Sequence, residues 1–289
     1  MTRPATRTLA VIPARDEAAR LPAALSALAT QGVAVIVVAN GCADATAAVG
    51  RALGATVIET PALAGGVGAA RRLGMARALG QAPDWVLTTD ADCVLAPGCV
   101  DALARALGRA DAAFGRVVPD PVEFAALPRT TRIHGALEDR HAALVALIAG
   151  HSAAQDWNPP PCHGQSPGAL IALRPDAYRA AGGFAPVRRN EDRMMAAALA
   201  AAGLRVARPW HAVVQASCRL TGRAPGGMAD TIAARVRADL AAETARLAQG
   251  CAHLERRLSR IAPGALALLP HDLSNEGETD VPAPVQAAI

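Results

Sequence analysis

The sequence contains no lysine: its 29 basic residues are all arginine, set against 25 acids for a net charge of +4. In a chain so rich in alanine this is a bias of composition, so arginine counts alone carry no functional argument. Aromatic residues make up only 2% of the 289 positions, which excludes a nucleic-acid surface built on stacked rings. The six cysteines, at 42, 93, 99, 162, 218 and 251, form no C-x-x-C pair and no disulfide framework. They read as free thiols of a reducing compartment. Long apolar runs are missing too. The best stretch, residues 142–149, falls far short of the roughly 20 residues a membrane span needs. The first eight residues are polar and lead straight into a strand, which predicts no export leader. These absences predict a soluble, cytoplasmic protein. The mild basic excess suits an anionic substrate, or peripheral contact with the inner membrane face.

What is present is a 52% hydrophobic chain whose first 120 residues alternate strand and helix signals. Strands are expected at 8–12 (stopped by Pro13), 33–38, 56–59 and 85–89, with helices at 17–30, 44–53 and 68–79. This order predicts an open, mostly parallel twisted α/β sheet with helices on both faces. Further on, the pattern predicts strands at 112–118, 169–173 and 212–216 and helices at 124–148, 175–181 and 191–202. A Pro/Gly-rich loop spans 156–168, and a long arginine-bearing helix at 229–261 is expected to break near Gly250.

Asp90 and Asp92 close the fourth strand. In an extended chain residues i and i+2 project to one side, so two carboxylates would leave together at the edge where such sheets place ligands. The pair suits a hard divalent cation, or else a solvated turn. Four other segments stand near it in the expected fold. Pro13-Ala14-Arg15-Asp16-Glu17 follows the first strand and residues 40–46 follow the second. Gly65-Gly66-Val67-Gly68 opens the helix that carries Arg71, where backbone amides can approach a phosphate. Gly182-Gly183-Phe184 precedes Asn190-Glu191-Asp192 at a helix start. Each has a plainer reading as a cap, a turn, or acids favoured by a helix dipole.

Other side chains are candidates for contacts to metal, phosphate or acceptor. His163 and His211 could serve as ligands or as structural hydrogen-bonders, and Arg219 and Arg223 could meet an anionic donor or acceptor. His134, Glu138 and His141 share one helical stripe, read as a solvated face. Arg235, Arg237, Arg246, Arg256, Arg257 and Arg260 suggest a helix packed on the core with a charged outer side; docking to a membrane surface is the alternative.

In their order and spacing these segments resemble the family 2 glycosyltransferases of the GT-A fold, of the bacterial, non-processive type. The family's P-x-x-[ND]-E turn is matched by Pro13 to Glu17, and its D-[DN]-[GN]-S-x-D-x-T by residues 39–46. Its G-x-x-x-A-R-x-x-G helix is matched by Gly66, Ala70, Arg71 and Gly74, its D-x-D by Asp90 and Asp92, and its G-G-F and E-D by 182–184 and 191–192. The resemblance implies a metal-assisted transfer of one sugar from a nucleotide-sugar donor to a small-molecule or lipid-linked acceptor. It puts Pro13, Arg15, Glu17, Asn40, Arg71, Asp90 and Ala91 on the donor, and Asp92 with Asp90 on Mg²⁺ or Mn²⁺. It makes Asp192 the general base, with Glu191 beside it, and the anomeric centre would invert. Ala39 stands where relatives often carry an aspartate at the nucleobase, which leaves the donor's base open. The Q-x-x-R-W of processive synthases is absent; Ser217 to Arg223 follows the last strand instead.

On this reading residues 1–225 form the GT-A domain, with 1–120 as its nucleotide half and 121–225 as its acceptor half. Residues 226–269 form a helical segment and 270–289 a disordered tail. Two competing readings are a nucleotidyltransferase, whose Gly-rich loop after the first strand is missing here, and a catalytically silent nucleotide-sugar binder. The intact Asp90, Asp92 and Asp192 speak against the second.

Overall fold

Along the strands, alternate residues turn to opposite faces, and both faces are covered. A computed structural model describes residues 7–152, 155–223 and 226–269. The first four strands are β1 (Thr8–Ala14), β2 (Ala34–Asn40), β3 (Thr56–Thr60) and β4 (Trp85–Thr89), and all pair in parallel. They alternate with α1 (Leu21–Ala29), α2 (Thr46–Ala52) and α3 (Gly66–Leu79). β5 (Cys93–Leu95) and α4 (Cys99–Leu107), which the pattern reading passed over, precede β6 (Ala112–Phe114) and β7 (Arg116–Pro119). After α5 (Pro121–Ala125) and α6 (Arg129–Ser152) come β8 (Leu170–Leu173), α7 (Pro175–Ala180) and α8 (Glu191–Ala201). The described chain ends with β9 (Val206–Ala207), β10 (Val213–Ala216), α9 (Met228–Arg237), α10 (Ala241–Ile261) and a 3-10 turn at Ala265–Leu268.

The main sheet has seven strands in the order β3-β2-β1-β4-β8-β6-β9, and a smaller sheet runs β5-β10-β7. In the main sheet β8 alone runs against its neighbours. Ala10, Ile12, Leu87 and Ala172 face a core filled by α1 and α4. Leu9, Val11, Val86 and Ile171 face the opposite core, which α3, α7 and α8 fill. This strict period of two is what an open sheet sandwiched between helices requires.

Several expected boundaries move, each for a local reason. Pro13 does not stop β1; it faces Val38 of β2, beyond the last residue that β4 pairs, where a missing N–H is tolerated. α1 starts at Leu21 rather than Glu17, with Pro22 in its first turn. The strand expected at 112–118 is two strands in two sheets. Gly115 makes the switch: a Cβ there would fall 2.3 Å from Leu170 Cδ2. The helix expected at 124–148 is also two. Asp120 caps α5 by accepting from the Val122 and Glu123 N–H groups, at 3.0 and 2.9 Å, and Pro128 precedes α6.

The C-terminal helix breaks at Ala238, not Gly250. Ala238 is extended, and Asp239, one residue before the Leu240 cap of α10, accepts from the Ala241 N–H at 3.0 Å. Gly250 instead lies inside α10, where a Cβ would come within 3.2 Å of the His141 ring. It permits the close approach of α10 to α6, around Leu137, Leu144, Leu147, Trp210 and Leu258. The stripe on α6 therefore faces protein, not solvent. His134 is buried, its Nδ1 lies 3.1 Å from Thr244 Oγ1, and Glu138 pairs with Arg235 at 2.7 Å. Among the described residues no helix is long and apolar enough to cross a membrane, and no cysteine is paired. The segment expected to be disordered, 270–289, lies outside the described residues.

Candidate active site

The carboxyl ends of β1, β2 and β4 meet at one edge of the main sheet, where β8 begins. Ligands of open α/β sheets bind at this edge. Arg71, on the second turn of α3, reaches it from below and is 1% exposed. Its Nη1 donates to Thr88 Oγ1 at 2.6 Å, its Nη2 to Asp90 Oδ1 at 2.5 Å and its Nε to Glu191 Oε1 at 3.2 Å. Thr88 in turn donates to the Val11 carbonyl at 2.9 Å, so α3, β4, β1 and the start of α8 are tied through one guanidinium. Burial alone would pull Arg71 below its ordinary pKa, but Asp90, Glu191 and Asp192 together hold it above. Glu191 also sits above its usual range, because burial outweighs its share of a guanidinium divided among three acids.

This knot separates the two acids of the E-D pair. Glu191 turns inward and is 6% exposed. Asp192 stays half-buried; its Oδ2 accepts from the Gly168 N–H at 2.8 Å and its Oδ1 from Arg193 at 2.7 Å. Gly168 packs closely there: a Cβ would come 3.2 Å from Arg71 Nη2 and 3.3 Å from Asp192 Oδ2, so those side chains would have to shift by a few tenths of an ångström.

Asp90-Ala91-Asp92 is not extended. The strand ends at Thr89, and the Cys93 N–H closes a turn on the Asp90 carbonyl at 3.2 Å. The turn still brings the carboxyls together: burial first and then Asp90 push Asp92 up to about 6, while Arg219 works the other way. Ala91 is buried beneath them. Glu17 joins this group from the β1–α1 loop. It is buried, receives Arg219 Nη1 and Nη2 at 2.9 and 2.5 Å, and its own N–H donates to Thr46 Oγ1 at 2.8 Å. The same Arg219 Nη2 lies 2.9 Å from Asp92 Oδ2. Arg219 is thus committed to protein carboxylates.

Other candidate residues take structural places. Asn40 spends its side chain on the loop before α3, accepting from the Leu63 N–H at 2.8 Å and donating to the Gly66 carbonyl at 3.3 Å. Pro13 is buried in β1, and Arg15 is exposed on the loop above it. Arg223 donates to the main-chain carbonyl of Asp16, at 3.1 and 3.3 Å, and its charge helps hold Asp44 low. His211 is exposed in the turn before β10. His163 turns both ring nitrogens to the main chain. It is 3% exposed, donates from Nε2 to the Phe114 carbonyl at 3.1 Å and accepts the Gln165 N–H on Nδ1 at 3.2 Å. Burial, with Arg208 and Arg116 nearby, drives its pKa down to about 3.

The glycines at the start of α3 face residues 185–188. The Gly68 N–H donates to the Val187 carbonyl at 3.1 Å, and a Cβ on Gly68 would sit 2.1 Å from the Ala185 oxygen. A Cβ on Gly65 would sit 2.4 Å from the Pro186 oxygen. They let residues 185–188 cross the mouth of the helix. Gly74 does the same for α3 on the sheet, where a Cβ would fall 2.3 Å from Val11 Cγ1.

Thr88, Gly168 and Glu123 escaped the sequence reading. Glu123 of α5 accepts from Ser217 Oγ at 2.7 Å and from the Cys218 N–H at 2.6 Å, which fixes the base of the Arg219 loop. The Asp120-Pro121 start of α5 was a visible cap signal, but nothing local announced its partner.

Two acidic groups could hold a cation. Asp16, Cys42 and Asp44 each place one ligand atom within 4.8 Å of the others. Their oxygens, however, already brace the β1–α1 and β2–α2 loops: Asp16 Oδ1 accepts from Ala43 at 2.6 Å and Asp44 Oδ2 from Ala18 at 3.0 Å. A thiol is also a poor partner for a hard ion. Asp90 and Asp92 offer oxygen alone and fit a hard divalent ion better, while both carboxylate oxygens of Glu17 are taken by Arg219.

Residues 9–177 match the model of the family described as Glycosyl transferase family 2, and the chain belongs to that family. It is a glycosyltransferase built for nucleotide-sugar donors. Comparison with curated protein sequences gives no match. Among solved structures it is similar to S. aureus TarS residues 1–349 in complex with UDP-GlcNAc, at 14% identity and TM-score 0.53 over 94% of this chain and 78% of that one. It is also similar to glucosyl-3-phosphoglycerate synthase from Mycobacterium tuberculosis in complex with Mn²⁺, UDP and glucosyl-3-phosphoglycerate, at 18% identity and TM-score 0.51 over 80% and 79%. A mannosyltransferase from Pyrobaculum calidifontis in complex with GDP-Man and Mn²⁺ aligns at 18% identity and TM-score 0.50 over 94% and 83%. At these identities the likeness is one of fold.

Proposed function

We propose that the protein moves one sugar from a nucleoside-diphosphate sugar to an acceptor hydroxyl, with inversion, at the edge where Arg71 joins Asp90 to the start of α8. The observation that carries this reading is that junction. One buried guanidinium binds Asp90 of the D-x-D and Glu191 of the E-D, and so puts Asp192 in the same site as the acidic turn. Asp92, with Asp90, would hold Mg²⁺ or Mn²⁺; when bound, the ion offsets the negative charge that grows on the departing diphosphate. Mn²⁺ stands in two of the similar structures, which supports the choice of ion. Their donors and that of TarS carry uridine or guanosine, so the fold takes more than one base.

Asp192 is the general base. It is half-exposed, and the Gly168 N–H orients its carboxylate. Glu191, which the resemblance sets beside it, is a positioning residue: it accepts from Arg71 at the start of α8. A base that takes the hydroxyl proton on the far side of the sugar from the leaving group inverts the anomeric centre. The acceptor is a hydroxyl carrier, either a small molecule or a lipid-linked one.

Thermal melting against UDP-, GDP- and other nucleotide sugars, with and without Mn²⁺, tests the donor class. Stabilisation by none of them, in either condition, overturns it. Asp192→Asn is expected to keep donor binding and lose at least about a hundredfold in kcat, the scale of a general base. Full turnover in that variant moves the base elsewhere.

A further inference from the structure

Arg219 is anchored unequally at its two ends of contact. Toward Glu17 it makes two charge-assisted hydrogen bonds, at 2.9 and 2.5 Å, to a carboxylate buried under the β1–α1 loop. Toward Asp92 it makes one contact, 2.9 Å from Nη2 to Oδ2, with the nitrogen that Glu17 already shares. The Glu17 arm is fixed at its far side by Thr46, while the chain beyond Arg219 is exposed from Leu220 to Arg223. The bond to Asp92 is therefore the weaker of the two. It can be given up without moving the anchor.

Asp92 is also the acid placed above at the divalent ion, and this inference rests on that reading. The guanidinium puts a positive charge against this carboxylate, and a second cation brought to the same carboxylate is repelled by the first. We propose that Arg219 is the resident counter-ion of Asp92, displaced from it by the divalent ion while still held on Glu17, and so sets how weakly the donor-free protein binds metal. It is a positioning residue: it acts on the reaction only through Asp92.

Mn²⁺ titration of the full chain without donor, followed by the EPR signal of free Mn²⁺, tests this. Arg219→Gln is expected to tighten Mn²⁺ binding about tenfold, the scale of one partly buried ion pair removed from competition. Losing a positive charge would tighten binding through space as well. The double variant Glu17→Gln/Arg219→Gln separates the two causes, because it removes one charge of each sign. It also leaves no unpaired charge at the Glu17 position, which protects the fold there. Displacement predicts that the double variant still binds Mn²⁺ more tightly than the parent. Parent-like affinity in the double variant, with binding lost in Asp92→Asn, overturns the inference and spares the metal site. Unchanged Mn²⁺ binding in Asp92→Asn overturns both.

Discussion

Two arginines gather the acids at this sheet edge, and they do so on different terms. Arg71 is sealed, with each nitrogen of its guanidinium bonded to a different partner: Thr88, Asp90 and Glu191. Arg219 sits at the surface of the same group, with its side chain 19% exposed, and spends both nitrogens on Glu17 before sharing one with Asp92. The first is a structural joint that happens to carry charge. The second is a clasp on a loop. The difference teaches that burial, and the number of independent partners, decide whether an ion pair holds a fold or waits on a ligand.

The largest expected effect tests the joint. Arg71→Ala leaves Glu191 buried without its partner, and should destabilise the protein by about 3–5 kcal/mol in urea unfolding. A loss below about 1 kcal/mol would put Arg71 in the same class as a surface pair.

A buried base with no carboxylate partner in its hydrogen bonds sharpens the contrast. His163 has its folded pKa near 3, below the ordinary 6.5, because it is buried beside Arg208 and Arg116. The unfolded chain then binds the proton first, so this contribution to stability is lost as pH falls below about 6.5. At pH 5 the loss is about 2 kcal/mol. His163→Gln should flatten that part of the pH dependence; unfolding curves whose pH dependence matches the parent's between 7 and 5 would refute the assignment.

Arg219→Gln should cost somewhat less than the joint, about 2–3 kcal/mol, since the buried Glu17 loses its cation but the glutamine amide can still donate to its carboxylate. The smallest effect calibrates the scale. Arg51 pairs with Glu59 where both side chains are more than half exposed, and Arg51→Gln should change unfolding by no more than about 0.5 kcal/mol. If Arg51→Gln matched Arg71→Ala, burial would not be what ranks these pairs.

Much of the nucleotide half was legible because its signals are local. β-branched runs, helix-opening glycines and strand-closing acids lie within a few residues of each other, so β1 to β4 and α1 to α3 were placed correctly to within a few positions at their ends. The split of residues 112–118 between two sheets was not legible, because Gly115 shows its role only against Leu170. The glycines at 65, 66 and 68 matched a familiar pattern, yet their purpose depends on residues 185–188 crossing above them. Gly250 misled in the same way, since its closeness to His141 shows only in the folded chain. The stripe on α6 has the polar pattern of a solvated face, and it is covered because α9 and α10 bring Arg235 and Thr244 to meet it.

The sequence by itself determined the layered α/β order, the family, and which loops gather at the working edge, since each follows from hydrophobic period and motif order along the chain. Only the tertiary structure decided what each charged side chain there is for. Arg71 and Glu191 stand 120 positions apart and Arg219 and Glu17 stand 202 apart, so no local pattern can pair them. Electrostatic partnership depends on distance and burial in space, and the fold alone sets both.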